Sequence, residues 1–413
     1  MATPAPSLTF TRSIGVSPAE VFHLFTSPSA LQEWCCQAAQ VDPRPGGRLY
    51  LWWDQGYYTV GVFTEVKTDR CLAFTWRGDG DPAATMVQVD FTSAAGGGTR
   101  VTLAHTGVGT EMGTESAWAS AAEGIRIGWE AALENLQSVL ETGVDLRLAR
   151  RPMLGLSGFA PLSPERAAAL GVPVAEGLWI DGVLEGMGAY SAGIRHDDVL
   201  VRLDDRPITT PQSLAPVLAA HQAGDRVEAI VYRGPQQHRA TVELSRRTYV
   251  DVDLPASAQA LAEATRATYT ALDREVDAAF DGVSEADADY HPAPDAWNAK
   301  QVLAHLIAVE RDLQVWLTKW IEGGDLADRF HANGWTRLSA LVTTYPTIVE
   351  LVAELRRSEA ATATMIASLP PEVARRKYLL HQLAQWIPSS AEHVRDHLVE
   401  VGRVVAAART THA

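Results

Sequence analysis

The sequence predicts a multidomain chain: an α+β segment, then a mostly-β segment, then an all-α four-helix bundle. Three observations predict it. From Leu8 to about Ala104, β-branched and aromatic residues alternate at period two, and from Trp118 to Leu140 apolar residues recur every three or four positions. From Met153 to about Arg246, short strand-like runs are punctuated by Gly, Pro and Asp. Beyond Pro255 the pattern is helical. A length of 413 residues agrees with about three domains.

Composition narrows the class. The chain is 46% hydrophobic and 21% charged, enough apolar material for several cores. Its 35 Lys+Arg against 50 Asp+Glu give a net charge of −15, which argues against nucleic acid and against a membrane surface as partners. Cys35, Cys36 and Cys71 are too few, and of odd number, for a disulfide framework, so reduced thiols are expected. No apolar run reaches membrane-spanning length, and Met1–Ser7 lacks the marks of a signal peptide. The expected location is cytoplasmic.

In the first segment, strands are expected at Val60–Val66, Cys71–Trp76, Met86–Phe91 and Arg100–His105, with Gly/Asp-rich turns between them. The stripe Trp118, Ala121, Ile125, Trp129, Ala132, Leu136, Leu140 is one face of a long helix that Gly143 stops. Such a sheet curled round a helix leaves a cavity unless large side chains fill it. Trp52, Trp53, Tyr57, Tyr58, Trp76 and Trp118 suit either the lining of a pocket for a hydrophobic small molecule or plain core packing. His105, alone at a strand end, reads as structural.

The ordered set Ser17-Pro-Ala-Glu-Val-Phe, Ala30-Leu-Gln-Glu-Trp34, Arg44-Pro-Gly-Gly47, Phe74-Thr-Trp76, Gly98–His105 and Gly128–Leu133 resembles the START-like (SRPBCC) superfamily. Within it, the segment is similar to bacterial homologues of the activator of the heat-shock-protein-90 ATPase. The resemblance spans 8–143 and implies a helix-grip fold with an apolar cavity.

In the second segment, strands are expected at Gly177–Ile180, Asp198–Leu203, Val227–Tyr232 and Ala240–Leu244, and helices start at Ser163-Pro-Glu and Thr210-Pro-Gln. Leu154-Gly-Leu156, Gly186–Leu200, Asp204–Ile208 and Gly224–Arg233 resemble a PDZ domain of the bacterial protease-associated type over 153–246. That resemblance implies capture of a C-terminal peptide or partner protein, with Leu154, Gly155 and Leu156 as the carboxylate loop and Leu214, Leu218 and His221 along the groove helix. A docking module without peptide binding is the other reading. Gly188 stands where the family has proline, and Asp197 and Asp205 stand for glycines. The preceding stretch has no Gly-x-Ser-x-Gly, so a protease is not expected.

In the third segment, helices are expected near 256–281, 299–322, 347–368 and 382–409, with Ser257 and Asn298 as caps. His393 and His397 lie one turn apart on one helix face, and His305 on a neighbouring helix completes three nitrogen donors. Trp297-x7-His305-Leu followed by His393-x3-His397 resembles the DinB-like (YfiT-type) metal-binding four-helix bundle over 254–409. By that resemblance His305, His393 and His397 hold a divalent metal, zinc or nickel. His291, His331 and His381 fall outside the pattern and read as surface or loop residues; Glu310, Glu392 and Asp396 read as off the ligand face. No general base can be named, so catalytic residues stay unassigned. Two functions remain: a stress-related small-molecule and peptide-binding protein, or a metal-dependent thiol transferase or hydrolase centred on the bundle.

Overall fold

The structure, a computed structural model, describes residues 7–54, 56–81, 83–107, 115–246, 253–293, 296–323 and 334–412, with backbone only for 115–121 and 412. It divides into two compact units, one of residues 1–144 and 251–413, the other of 145–250.

The first unit opens with an antiparallel sheet. Its strands are β1 (Ser7–Ile14), β2 (Ala38–Val41), β3 (Arg48–Trp52), β4 (Tyr58–Lys67), β5 (Cys71–Gly78), β6 (Thr85–Ser93) and β7 (Thr99–Thr106), in the order β1-β7-β6-β5-β4-β3-β2. Between β1 and β2 run α1 (Pro18–Thr26) and α2 (Pro28–Trp34). Ser17 caps α1 and Glu20 closes the capping box, so Ser17-Pro-Ala-Glu is a helix start. The long helix α3 (Glu115–Thr142) buries Trp129, Leu133, Leu136 and Val139 with Phe63, Leu72, Phe74, Val87 and Leu103 of the sheet. This is the helix-grip layout.

The same unit continues in the C-terminal helices α8 (Ala258–Phe280), α9 (Glu285–Ala288), α10 (Ala299–Glu322), α11 (Trp335–Thr344), α12 (Ile348–Ala367), α13 (Pro371–Ala374) and α14 (Lys377–His412). The labels α4 to α7 belong to the second unit. Helices α8, α10, α12 and α14 form the bundle. The last helix starts five residues earlier than its sequence period suggests, because Leu379 and Leu380 are already buried in the core beside Leu383. Helix α11 was not expected; its Leu338 and Leu341 join the bundle core. Gly143, which ends α3 at φ +79°, also allows a close approach: a Cβ there would lie 2.6 Å from the Lys377 carbonyl oxygen. No single described helix is long and apolar enough to cross a membrane.

The second unit contains α4 (Leu146–Ala149), β8 (Pro152–Met153), β9 (Leu156–Pro161), α5 (Pro164–Leu170), β10 (Leu178–Val183), α6 (Gly188–Ser191), β11 (Val199–Leu203), β12 (Arg206–Pro207), α7 (Pro211–Leu218), β13 (Arg226–Arg233), β14 (Gln236–Glu243) and β15 (Ser245–Arg246). Its sheet runs β14-β13-β11-β10-β9, with β12 on β11, while β8 and β15 pair near the ends of the unit. Gly188 has a steric reason: a Cβ would fall 1.8 Å from the Glu243 carbonyl oxygen. Asp197 (φ 67°) takes the left-handed conformation expected of it, but at the next turn Asp204 (φ 48°) does so rather than Asp205.

Candidate metal centre

Helix α10 starts where Asn298 and Gln301 close a capping box, which places His305 in its second turn among Ala304, Leu306 and Ile307. Helix α14 brings His393 and His397 to it from across the bundle. One ring nitrogen from each of the three lies within 4.8 Å of the others, and His305 Nε2 is 3.0 Å from His393 Nε2. Two nitrogens bound tetrahedrally to one ion at ~2.0–2.1 Å sit ~3.3 Å apart, so the spacing suits a shared cation. Among the described residues no other group of three His, Cys, Asp or Glu converges in this way.

The surroundings favour ligand nitrogens. Burial, and then the neighbouring His397, hold His393 below the usual imidazole range, so its lone pair is available at neutral pH. His397 Nδ1 donates to Glu400 Oε2 at 2.9 Å, which leaves Nε2 as its bare nitrogen. The Trp297 ring lies 5.1 Å from His305 and stacks on His397 at 6.2 Å, which accounts physically for the Trp-x7-His spacing. Three imidazole nitrogens, one ring backed by a carboxylate, fit a borderline divalent ion and leave a further coordination position.

Glu400 was not anticipated; its i+3 spacing from His397 on one helix was the available signal. Glu310 lies off the triad, as expected, but it is buried, accepting from Tyr269 Oη at 3.0 Å and Thr362 Oγ1 at 2.8 Å, and burial raises its pKa to about 6. Glu359, also buried, is pushed up to about 9 by burial and then by Asp273 and Glu310. His381 is no surface residue: it is buried on α14 because Leu379, Leu380 and Leu383 draw that turn into the core. His291 is exposed and bonded to the Ala296 carbonyl, and His331 lies outside the described residues.

The expected pocket residues divide. Trp53, Tyr57 and Trp76 come together: Trp76 is 6.2 Å from Trp53, and its Nε1 donates to Tyr57 Oη at 3.3 Å. Trp76 also packs 5.4 Å from Trp129. Trp52 and Tyr58, paired across β3 and β4, lie on the face opposite buried Leu49 and Leu51. The side chain of Trp118 lies outside the described residues. His105 is fully buried. Trp129 Nε1 donates to its Nδ1 at 3.0 Å, so its Nε2–H donates to Thr85 Oγ1 at 2.6 Å. Burial lowers its pKa to about 4. All three cysteines are buried and free, and burial foremost raises the Cys71 thiol to about 12.

Of the peptide residues, Leu154 is buried in the core, Gly155 is left-handed (φ +88°), and Leu156 opens β9, the edge strand of its sheet. Leu214 and Leu218 lie on α7, Leu214 buried and Leu218 half-buried. His221 lies past the helix end, not along it, because α7 stops at Leu218 and the chain turns there, with the His221 ring held by Asp204 and Asp225 at 2.9 and 3.5 Å.

Fold and site together define a three-module protein: a helix-grip domain, a PDZ domain and a histidine-bearing bundle. Family models match in that order: "Activator of Hsp90 ATPase homolog 1-like protein" over residues 15–141, "PDZ domain" over 143–244 and "DinB superfamily" over 268–401. Among curated proteins, the chain is 36% identical over 84 residues to the magnetosome formation protease MamE of Paramagnetospirillum magneticum, a match covering 20% of this chain and 11% of that protein. It is 31% identical over 102 residues to the serine protease Do-like HtrA of Lactococcus lactis subsp. lactis, covering 24% and 25%. The chain thus spans a quarter or less of the curated relatives it matches first. Solved structures that match include an HSP90 activator from Plasmodium falciparum (23% identity, TM-score 0.28, covering 32% of this chain and 95% of that one). Another is the Aha1 dimer from Colwellia psychrerythraea (15% identity, TM-score 0.28, 33% and 96%).

Proposed function

We propose that this chain is a cytoplasmic, stress-related binding protein of three modules, bounded at 8–143, 153–246 and 254–409. Its chemical centre is a divalent metal, zinc or nickel, on His305, His393 and His397. The observation that carries this is the convergence of three ring nitrogens within 4.8 Å. The ion would supply Lewis acidity at an open position; the chain's own residues hold it, with Glu400 orienting His397 and Trp297 walling one side. The first module offers an apolar small molecule the aromatic surface around Trp53, Tyr57 and Trp76. The second offers a C-terminal peptide the free edge of β9 beside α7. Three buried free thiols suit a reducing compartment.

Metal analysis of the purified full chain tests this reading. About one equivalent of zinc or nickel is expected, and background in the triple His→Ala variant. Equal metal in both, or none after loading with either ion, overturns it.

A second reading is a metal-dependent thiol transferase or hydrolase. It is favoured by the incomplete ligand set and by the fact that neither His393 nor His397 is fully buried. Metal-dependent consumption of a low-molecular-weight thiol, lost in the triple variant, would support it; a metal-loaded protein inert toward thiols and hydrolysable substrates would exclude it.

A further inference from the structure

The apolar core of the bundle is interrupted partway along its length. One cluster takes Leu272 from α8, Ile307 from α10 and Leu355 from α12. The other takes Leu261, Leu313 and Ile366 from the same three helices. Between the two clusters these helices bury polar side chains instead: Thr265 on α8, Glu310 on α10, and Ser358, Glu359 and Thr362 on α12. They stand where the helical period places core residues, so the layer is enclosed by the packing that holds the helices together.

The layer shares its donors unequally between two buried acids. Tyr269 Oη donates to both oxygens of Glu310, at 3.0 and 3.1 Å, and Thr362 Oγ1 donates to its Oε2 at 2.8 Å. Gln314 Nε2 is spent on the Ser358 carbonyl at 2.9 Å. Glu359 is 4% exposed, and its Oε2 has no hydrogen-bond partner among the described residues. Helix α12 packs mainly on α8 and α10. Of the groups that act on Glu359, α8 presents Tyr269 and Asp273, and α10 presents Glu310. Arg356, on α12 itself, is committed to Asp273 through Nε at 2.9 Å and to Asp277 through Nη2 at 2.6 Å. A carboxylate buried without a donor, facing two further acids, costs far more than the neutral acid. The pKa of Glu359, raised to about 9 by burial foremost, agrees with that placement.

We propose that Glu359 is a neutral carboxylic acid in the folded bundle, and that its proton makes the packing of α12 on α8 and α10 sensitive to alkali. The device is separate from the histidine triad, because α12 carries none of the three histidines and the proton is held with or without a metal. The sign follows from the two states. Below an ordinary 4.5 both the folded and the unfolded chain carry this proton. Between 4.5 and about 9 only the folded chain keeps it, so stability falls as pH rises, by up to about tenfold in the unfolding constant per pH unit.

Urea unfolding of the full chain at about pH 5.5, 7 and 8.5, followed by far-ultraviolet circular dichroism, tests this in the wild type and in Glu359→Gln. Comparing the two at each pH cancels the histidines, which both proteins share. From about pH 5.5 to 8.5 the wild-type unfolding constant is expected to rise at least about thirtyfold more than that of Glu359→Gln. Glu359→Met, which removes the unpartnered group at similar length, should be no less stable than the wild type at the highest pH. The infrared difference between the wild type and Glu359→Gln should show a protonated carboxyl at neutral pH. Amide exchange in α12, corrected for its intrinsic pH dependence, should speed up between about pH 7 and 9 in the wild type and not in Glu359→Gln. The proposal is overturned if the two stability profiles run parallel, if both variants are less stable than the wild type at the highest pH, if the infrared difference is that of a carboxylate, or if α12 exchange responds alike in both proteins.

Discussion

The first module and the bundle each set a buried histidine against tryptophan, and they use it in opposite ways. His105 packs among Trp76 and Trp129, and both of its ring nitrogens are engaged by the protein: one receives the Trp129 N–H, the other donates to Thr85. His305 packs on Trp297, but its Nε2 points at another imidazole nitrogen 3.0 Å away. Burial and an aromatic neighbour therefore do not distinguish a structural histidine from a proposed ligand. The partner of each nitrogen is what differs: Trp129 and Thr85 complement both nitrogens of His105, whereas His305 Nε2 faces a second imidazole nitrogen, the arrangement on which the proposed metal site rests.

The largest effects should come from exchanging the two roles. His393→Ala should reduce bound metal to background, a loss of roughly 3 kcal/mol or more, about a third of the apparent energy of a structural zinc site. The bundle should keep its helical content, because its two apolar clusters pack the four helices without the metal. His105→Ala should leave metal content unchanged and destabilise the first module. Metal loss in His105→Ala, or full metal in His393→Ala, would break the comparison.

Next in size is the response to acid. His105 titrates at about 4 when folded, against an ordinary 6.5. Since the unfolded chain takes up this proton first, the contribution is intact above pH 6.5 and is lost as pH falls toward 4. The total is about 3 kcal/mol. Urea unfolding followed by tryptophan fluorescence at neutral pH and near pH 4.5 should show this slope flattened in His105→Gln. An identical slope in both proteins would remove the burial account.

Much of this was legible in the sequence, and what was missed has physical reasons. The change of period at Trp118 located the sheet and α3, because alternation and helical stripes both report one buried face. The Trp297–His305 and His393–His397 spacings located the triad, because helix geometry fixes i,i+4 neighbours. Helix α11 was missed because only two of its ten residues, Leu338 and Leu341, are buried, too few to set a period. The grouping of Trp52 and Tyr58 with Trp53 and Tyr57 failed because neighbours along a strand face opposite sides. His381 was misplaced because its helix was started too late, so the period that buries Leu379, Leu380 and Leu383 was not extended to it. The cavity lined by Leu24, Val139, Leu140, Trp320 and Tyr378 could not be read at all, since its two walls come from distant parts of the sequence and meet only in three dimensions.

Glu400 sharpens the comparison at smaller scale, because its bond to His397 Nδ1 is the bundle's counterpart of the Trp129 bond to His105. Glu400→Gln keeps the size and can still accept, but removes the carboxylate charge facing the Nδ1–H of His397. Metal affinity should fall ~10–100-fold by competition with a chromophoric chelator, with ligand number unchanged. An unaltered affinity would mean that Glu400 is a surface ion pair with no part in the site.

The smallest effect separates the two tryptophans. Trp129 acts through its N–H, which holds the Nδ1 lone pair of His105 and so fixes the tautomer that bonds Thr85. Trp297 stacks its ring on His397 and needs no N–H to do so. Phenylalanine keeps a ring and loses the donor in both places. Trp129→Phe should therefore leave a buried acceptor unpaired and cost about 1–3 kcal/mol of stability, while metal content stays at about one equivalent. Trp297→Phe should weaken metal binding by less than about threefold, under ~0.7 kcal/mol, since the wall beside the ligands survives. If Trp297→Phe instead cost as much affinity as Glu400→Gln, the tryptophan would have to act through its N–H, and the contrast between a hydrogen-bonded core histidine and a ring-walled ligand would fail at that residue.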